Sequence, residues 1–335
     1  MALTDDLFAT LTSKEGWARF MASAPVKPEP LDDRDALTAS ERGEDDERRL
    51  DYLSNPITVN TPVIDKAIKI VRRLLILNRH QFSARRGLIL SGDGGTGKTT
   101  ALSQLGRAYE LALRRMDLED GTIPVVYITL PTAATARMLA VEFARFLGLP
   151  VGRRANLTDV TDTVCSVLCD VGCRLVLVDE LHNLSISTPA GAEVSDQLKY
   201  FSERIPATFV YAGIDLEGRG LFSGTRGKQI ASRFTMIETR PFAFGTEAQR
   251  ENWRALTATF EQAMCLYQHV PGTLARHGEY LYRRTGGMMG SLSHLIRGAA
   301  IDAICDGTEK ITKSHLEAID LDLTATKSYT GWRST

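Results

Sequence analysis

Gly92-Asp93-Gly94-Gly95-Thr96-Gly97-Lys98-Thr99 fits the pattern G-x-x-x-x-G-K-[ST], and the residues on either side of it give the chain its fold class. Gly87-Leu-Ile-Leu-Ser91 precedes it as a short apolar run of the kind a buried parallel strand shows. Thr99 to Leu113 follows it and reads as a helix. The residue types suit a phosphate. Glycines let backbone N–H groups turn inward toward phosphate oxygens, where a side chain would collide. The helix start adds its positive dipole end. Lys98 is expected to reach the β- and γ-phosphates of a nucleotide, and the Thr99 hydroxyl to complete a magnesium shell, with Gly92 to Thr99 and Thr100 as the nucleotide-binding residues. The competing reading, a glycine-rich turn that happens to contain Lys-Thr, fits the flanking strand and helix poorly.

Some eighty residues on, Leu175-Val-Leu-Val-Asp179-Glu180 is an apolar strand ending in two carboxylates. An acid at the carboxyl end of a central strand faces the crevice that receives the phosphates. Asp179 is placed to hold magnesium through water, and Glu180 to orient or deprotonate an attacking water, which favours hydrolysis over transfer to a small molecule. Read alone, the pair is equally a solvated helix start; the phosphate loop upstream tips the balance.

Outward from these motifs, strands are expected at 124–129, 174–178, 207–212 and 235–239, and helices at 64–78, 133–146, 158–168 and 194–203. Such alternation implies right-handed crossovers and a parallel sheet covered on both faces. After Phe244 the strands stop, and four helices are expected at 247–266, 272–284, 291–305 and 314–321. Arg233, in Ser232-Arg233-Phe234 behind the glycine-rich loop 218–227, could reach a neighbouring subunit's γ-phosphate; a surface arginine is the other reading.

The 335 residues suit about two domains and a core needing neither disulfides nor structural metals. The first 50 carry 7 Lys and Arg against 12 Asp and Glu, whereas the other 285 carry 33 against 29. A mildly basic body behind an acidic leader permits nucleic-acid binding without demonstrating it. In the leader, Thr12 and Glu15 have capping-box spacing ahead of Trp17, Phe20 and Met21, so a short helix is expected. The charge-dense stretch 32–49 is expected to be a mobile connector, with a partner-docking peptide as the alternative. Cys165, Cys169, Cys173, Cys265 and Cys305 lack CxxC spacing; the first three are taken for small core residues, and the composition points to a reducing cytoplasm. Neither a secretory signal nor a membrane span is expected.

Together these motifs resemble the AAA+ ATPases of DNA transposition, the TniB/TnsC group, over roughly residues 57–323. The more specific matches are Asp179-Glu180-Leu-His182-Asn183-Leu184, Gln229-Ile-Ala-Ser-Arg233-Phe234, and Thr285-Gly-Gly-Met-Met-Gly290-Ser-Leu-Ser-His-Leu-Ile296 continuing to Ile311. The resemblance implies an α/β AAA+ P-loop NTPase with a parallel five-stranded sheet flanked by helices, plus a C-terminal helical lid. It divides the chain into a largely flexible acidic leader (1–56), a nucleotide-binding core (57–244), a lid (245–322) and a tail (323–335). It implies a regulator that uses ATP and Mg2+ and assembles as a homo-oligomer, ring or helical filament, on double-stranded DNA without much sequence preference. Such a protein recruits or activates a transposase, and can work with a target-selector protein. Arg233 falls at the arginine-finger position. The loop and helix start at 129–137 correspond to a DNA-tracking element, with Thr132 and Arg137 as candidates, and Arg153 and Arg154 fall in a second DNA-facing loop. Solvation of a helix face is an equally good account of Arg137.

The chain departs from the pattern twice. Ser291 stands where many AAA+ lids carry arginine, and the fourth strand ends Ala212-Gly213-Ile214-Asp215, where a polar sensor is usual; Ile214 cannot serve, Asp215 is a sensor candidate, and weak or conditional hydrolysis would follow. His182 either orients the acidic pair or caps a helix. Two rival functions stay open: a replication-initiator or helicase-loader ATPase, for which residues 322–335 leave too little chain for a winged helix, and a nucleotide-switched scaffold with little turnover.

Overall fold

The computed structural model describes residues 10–23, 25–31, 34, 36–116, 118–184, 189–218 and 231–333, with the backbone alone at 189–191, 328 and 330–333. The chain divides into two compact units, one formed by 1–23 and 60–239, the other by 24–59 and 240–335.

The first unit is built on an all-parallel sheet of five strands, β1 (Gly87–Gly92), β2 (Val125–Thr129), β3 (Leu175–Asp179), β4 (Thr208–Gly213) and β5 (Phe234–Thr239), in the order β2-β3-β4-β1-β5. β2, β3 and β4 are continuous apolar runs buried on both faces, as strands sandwiched between helices must be. The register pairs Thr129 with Asp179, Ser91 with Gly213 and Gly92 with Thr239, so the carboxyl ends of the strands form one edge carrying both motifs.

Among the described residues, six α-helices belong to this unit: α1 (Lys14–Ala22), α3 (Pro62–Asn78), α4 (Lys98–Arg114), α5 (Ala136–Phe146), α6 (Leu157–Asp170) and α7 (Pro189–Arg204). α1 starts one residue later than its sequence signal, with Ser13 as the cap accepting from the Gly16 amide. It buries Trp17 and Met21 in the main core, and Gly106 of α4 makes room: a Cβ there would stand 2.7 Å from the Trp17 ring. Cys165 and Cys173 are buried, and burial pushes their thiols up to about 11 and about 12; Cys169, expected in the core as well, is exposed.

The second unit is helical: α2 (Ala39–Ser54), α8 (Glu247–Ala263), α9 (Thr273–Arg276), α10 (Gly278–Thr285), α11 (Met289–Cys305), α12 (Lys313–Ala318) and α13 (Leu323–Arg333). Its core gathers Leu53, Trp253, Phe260, Leu281, Leu295 and Ile296. α2 occupies the stretch expected to be a mobile connector. Its capping box is complete, Thr38 and Glu41 bonding each other's backbone amides. Charge anchors it more than apolar surface does. Arg49, 2% exposed, donates to both carboxylate oxygens of Glu309 at 2.7 and 2.9 Å and to the Cys265 carbonyl, while Asp45 meets Arg49, Arg48 and the Tyr267 hydroxyl. Burial works against the charge on Arg49, but Glu309, Asp46 and Asp45 outweigh it and hold the guanidinium above its ordinary pKa. The tail expected at 323–335 begins as a helix, and Asp322 before it accepts from the Ser291 hydroxyl at 2.6 Å.

Candidate nucleotide site and strand-end loops

The phosphate loop leaves β1 at Gly92, where a Cβ would lie 2.0 Å from the Thr239 carbonyl oxygen; only glycine lets the two strand ends approach so closely. Thr96 ties the loop down through bonds to the Asp93 carbonyl and the Thr239 hydroxyl, both 2.8 Å. Gly95 (φ 75°) and Gly97 (φ 88°) adopt left-handed backbone, and Gly97 precedes α4 without any side-chain cap, so the helix's first amides keep no internal side-chain acceptor. A Cβ at Gly94 or Gly97 would meet nothing within 4 Å, so the loop faces open space. Lys98 is buried and donates to the Gly92 carbonyl at 2.9 Å and the Asp93 carbonyl at 2.5 Å. Its pKa is lowered by burial, against which the charges of Asp179, Glu180 and Asp93 push upward. Thr99 and Thr100 are exposed at the helix start. These features fit a triphosphate.

Asp179, 3% exposed at the end of β3, accepts three hydrogen bonds: from the Thr99 hydroxyl at 2.7 Å, the Tyr127 hydroxyl at 2.8 Å and the Glu180 amide at 2.8 Å. All three donors are uncharged, and among the described residues no Lys or Arg nitrogen pairs with it. A buried carboxylate held this way suits a divalent cation. Among the described residues no group of three or more His, Cys, Asp and Glu could hold a metal alone, so such a cation would complete its shell with phosphate oxygens and water.

Tyr127 is absent from the sequence expectations. It lies mid-strand in β2, its hydroxyl pKa pushed up by burial and by Asp179, and its ring stacks on Trp17 at 6.0 Å between centroids. Trp17 in turn donates to Glu110 at 2.7 Å. Alternation along an apolar strand carries no sign that one aromatic holds the metal-site acid, which is why sequence reading passes over it.

Glu180 adopts left-handed backbone (φ 59°, ψ 33°), and its carboxylate sits 3.2 Å from His182 Nε2. Asn183 donates to the Leu130 carbonyl at 2.8 Å, joining the acidic turn to the end of β2. The sensor candidate Asp215 bonds within its own turn, accepting from the Gly218 amide at 3.1 Å. Arg233, at the start of β5, pairs with Glu203 at the end of α7. Burial pushes the Glu203 carboxyl up, but the bonds from Arg233 and the Ala84 amide outweigh it and leave the pKa lowered. Gln229, Ile230 and residues 219–227 of the glycine-rich loop lie outside the described residues.

The two candidate DNA loops meet. Arg137, in the first turn of α5, donates to the Ala155 carbonyl in the loop before α6, so it bridges the loops instead of projecting freely. Thr132, Arg153 and Arg154 are exposed.

A family model described as the bacterial TniB protein matches residues 49–244. No curated protein matches the chain in sequence. Among solved structures, the Aeropyrum pernix ORC1 protein in complex with DNA is similar at 16% identity and a TM-score of 0.60, over 83% of this chain and 67% of that one. The ORC2 protein of the same organism, in ADPNP–ADP complexes, gives 16% and 0.60 over 83% and 69%. Cdc6p from Pyrobaculum aerophilum gives 17% and 0.52 over 78% and 68%. These neighbours are AAA+ proteins, and at such identity the likeness concerns the fold.

Proposed function

The chain belongs to the TniB family of AAA+ ATPases of transposition, and on that premise we propose that it is an ATP-dependent, DNA-binding regulator that oligomerises on duplex DNA and recruits or activates a transposase. One observation carries the nucleotide half of this reading. Asp179 is a buried carboxylate whose donors among the described residues are all uncharged, one of them the hydroxyl of Thr99, beside a glycine loop that faces open space. Gly92 to Thr100 cradle the phosphates of ATP, while Thr99 and Asp179 hold Mg2+, which supplies charge neutralisation. Glu180 takes the proton of the attacking water as the water oxygen bonds the γ-phosphorus and the bond to the bridging oxygen of the departing diphosphate breaks.

Arg233 is the proposed trans-acting cation, and in that role a neighbouring phosphate would have to displace its pairing with Glu203. Arg153 and Arg154 contact DNA phosphates, and Arg137 shapes the loop that presents them. The solved neighbours bound to DNA or to ADPNP and ADP agree with both halves.

Binding of labelled duplex DNA, with and without ATP across a salt series, tests the proposal. Affinity should require ATP and fall linearly on a double-logarithmic salt plot. R153E/R154E should weaken binding for all sequences alike and flatten that slope by about two, roughly one per lost phosphate contact. Binding indifferent to ATP or to salt would overturn it. The likeness to ORC and Cdc6 proteins favours a second reading, a replication initiator or helicase loader, but that likeness concerns the fold while the family match bears on the task. A switch with little turnover is separated from both by E180Q, which should prolong DNA assemblies only if hydrolysis times the cycle.

A further inference from the structure

The turn that follows Glu180 is tied to the end of β2 through Asn183 and to the end of β4 through an imidazole. His182 lies in the three-residue 3-10 helix Leu181–Asn183, with its side chain 13% exposed. Its Nδ1 stands 3.3 Å from the backbone nitrogen of Ile214, just beyond the end of β4. An amide N–H can only donate, so Nδ1 accepts. The proton of the neutral ring therefore sits on Nε2, which is 3.2 Å from Glu180 Oε2.

The packing behind the ring is just as specific. A Cβ at Gly213 would stand 2.9 Å from the His182 amide nitrogen and 3.3 Å from that of Leu181, so glycine is what lets β4 press against this turn. The same strand end is fastened to β1, where the Ser91 hydroxyl accepts from the Leu216 amide at 3.0 Å beside the phosphate loop.

Glu180 needs such a partner. Its carboxylate is 39% exposed on a left-handed residue, and without a donor it would sample several rotamers. We infer that His182 is the positioning residue of Glu180: the β4 end, acting through the Ile214 amide, fixes the tautomer and direction of the ring, and the ring holds Oε2 so that Oε1 faces water. Strand β4 is followed here by Ile214, whose side chain cannot hydrogen-bond, and its backbone amide does through His182 what a polar side chain at that position would do directly. This inference rests on the proposed role of Glu180 in activating water.

The test compares the full-length protein with E180Q, H182A, H182L and H182Q, measuring ATP turnover with saturating duplex DNA alongside equilibrium binding of a fluorescent ATP analogue. Loss of E180Q activity establishes the role of Glu180; an E180Q variant as fast as wild type would overturn that role and this inference with it. Given that loss, H182A and H182L should lower kcat about 10- to 100-fold, the range seen when a supporting partner is removed. KM and analogue binding should stay within about twofold, since the nucleotide cradle is untouched. H182Q, whose amide oxygen can accept from Ile214 while its NH2 donates to Glu180, should recover much of the rate. H182L as fast as H182Q would show that only bulk matters and overturn the inference while leaving Glu180 its role. Nitrogen-15 spectra of histidine-labelled protein give a readout free of turnover: the signal lost in H182Q should be an Nε2–H tautomer, and an Nδ1–H tautomer would overturn the assignment.

Discussion

Each unit of the molecule contains a deeply buried carboxylate cluster, and the two are closed in opposite ways. In the helical unit, Asp45 and Glu309 are met by Arg49, Arg34 and Arg48, so the countercharge is part of the chain. In the α/β unit, Asp179 is just as buried but receives two hydroxyls and one amide. Burying a carboxylate without a cation is costly, and hydrogen bonds offset only part of the cost. The first cluster is complete and can only hold structure. The second has no bonded cation among the described residues, Lys98 acting on it only through space, and so leaves room for a divalent ion. A buried acid is thus read by the charge of its donors more than by its depth.

Substitutions can break this contrast. D179N should reduce ATP turnover by about 10² to 10³, the scale of losing metal assistance. The metal-free melting temperature should hold or rise, since an uncompensated charge has been removed; a marked fall would mean the carboxylate is structural after all. R49A should do the reverse, costing about 3–5 kcal/mol of stability by leaving Glu309 and Asp45 buried without their main partner, as denaturant melts would record. Y127F sharpens the comparison. Removing one uncharged donor from the buried Asp179 should cost about 1 kcal/mol of metal-free stability, read in denaturant melts, and added magnesium should restore part of it. The smallest effect is expected at Glu110, an intermediate case that accepts from Trp17 and already carries its own cation, Arg114, at 2.7 Å. W17F removes the indole donor at a cost of about 1 kcal/mol and should leave kcat unchanged.

The phosphate loop, the five strands and the acidic pair are legible in sequence because glycine spacing, apolar runs and strand-end acids have few other uses. Arg137 was legible only as a cation: no pattern of residues reveals that its guanidinium is spent on the Ala155 carbonyl. The stretch 32–49 looks like a mobile connector in sequence because it is dense in charge, nine of the 16 residues of α2 being charged, and the face that α2 buries includes Asp45 and Arg49. Hydrophobic periodicity is blind to a helix anchored by ion pairs, although Thr38 and Glu41 announced its start. Tyr127 escaped for a further reason, and His182 is legible only as a choice between orienting the acidic pair and capping a helix: their significance lies in which atom each ring presents to its neighbours.

The order in which the chain visits its two units has a practical consequence. Residues 1–23 and 60–239 make one and residues 24–59 and 240–335 the other, so no uninterrupted gene fragment encodes either. A clone trimmed to begin at residue 60 would look like a tidy ATPase domain. It would nevertheless uncover the surface that Trp17 seals beside Tyr127 and leave Glu309 in the interior with its guanidinium deleted. Poor solubility of such a clone would report on where the scissors fell, and on nothing else.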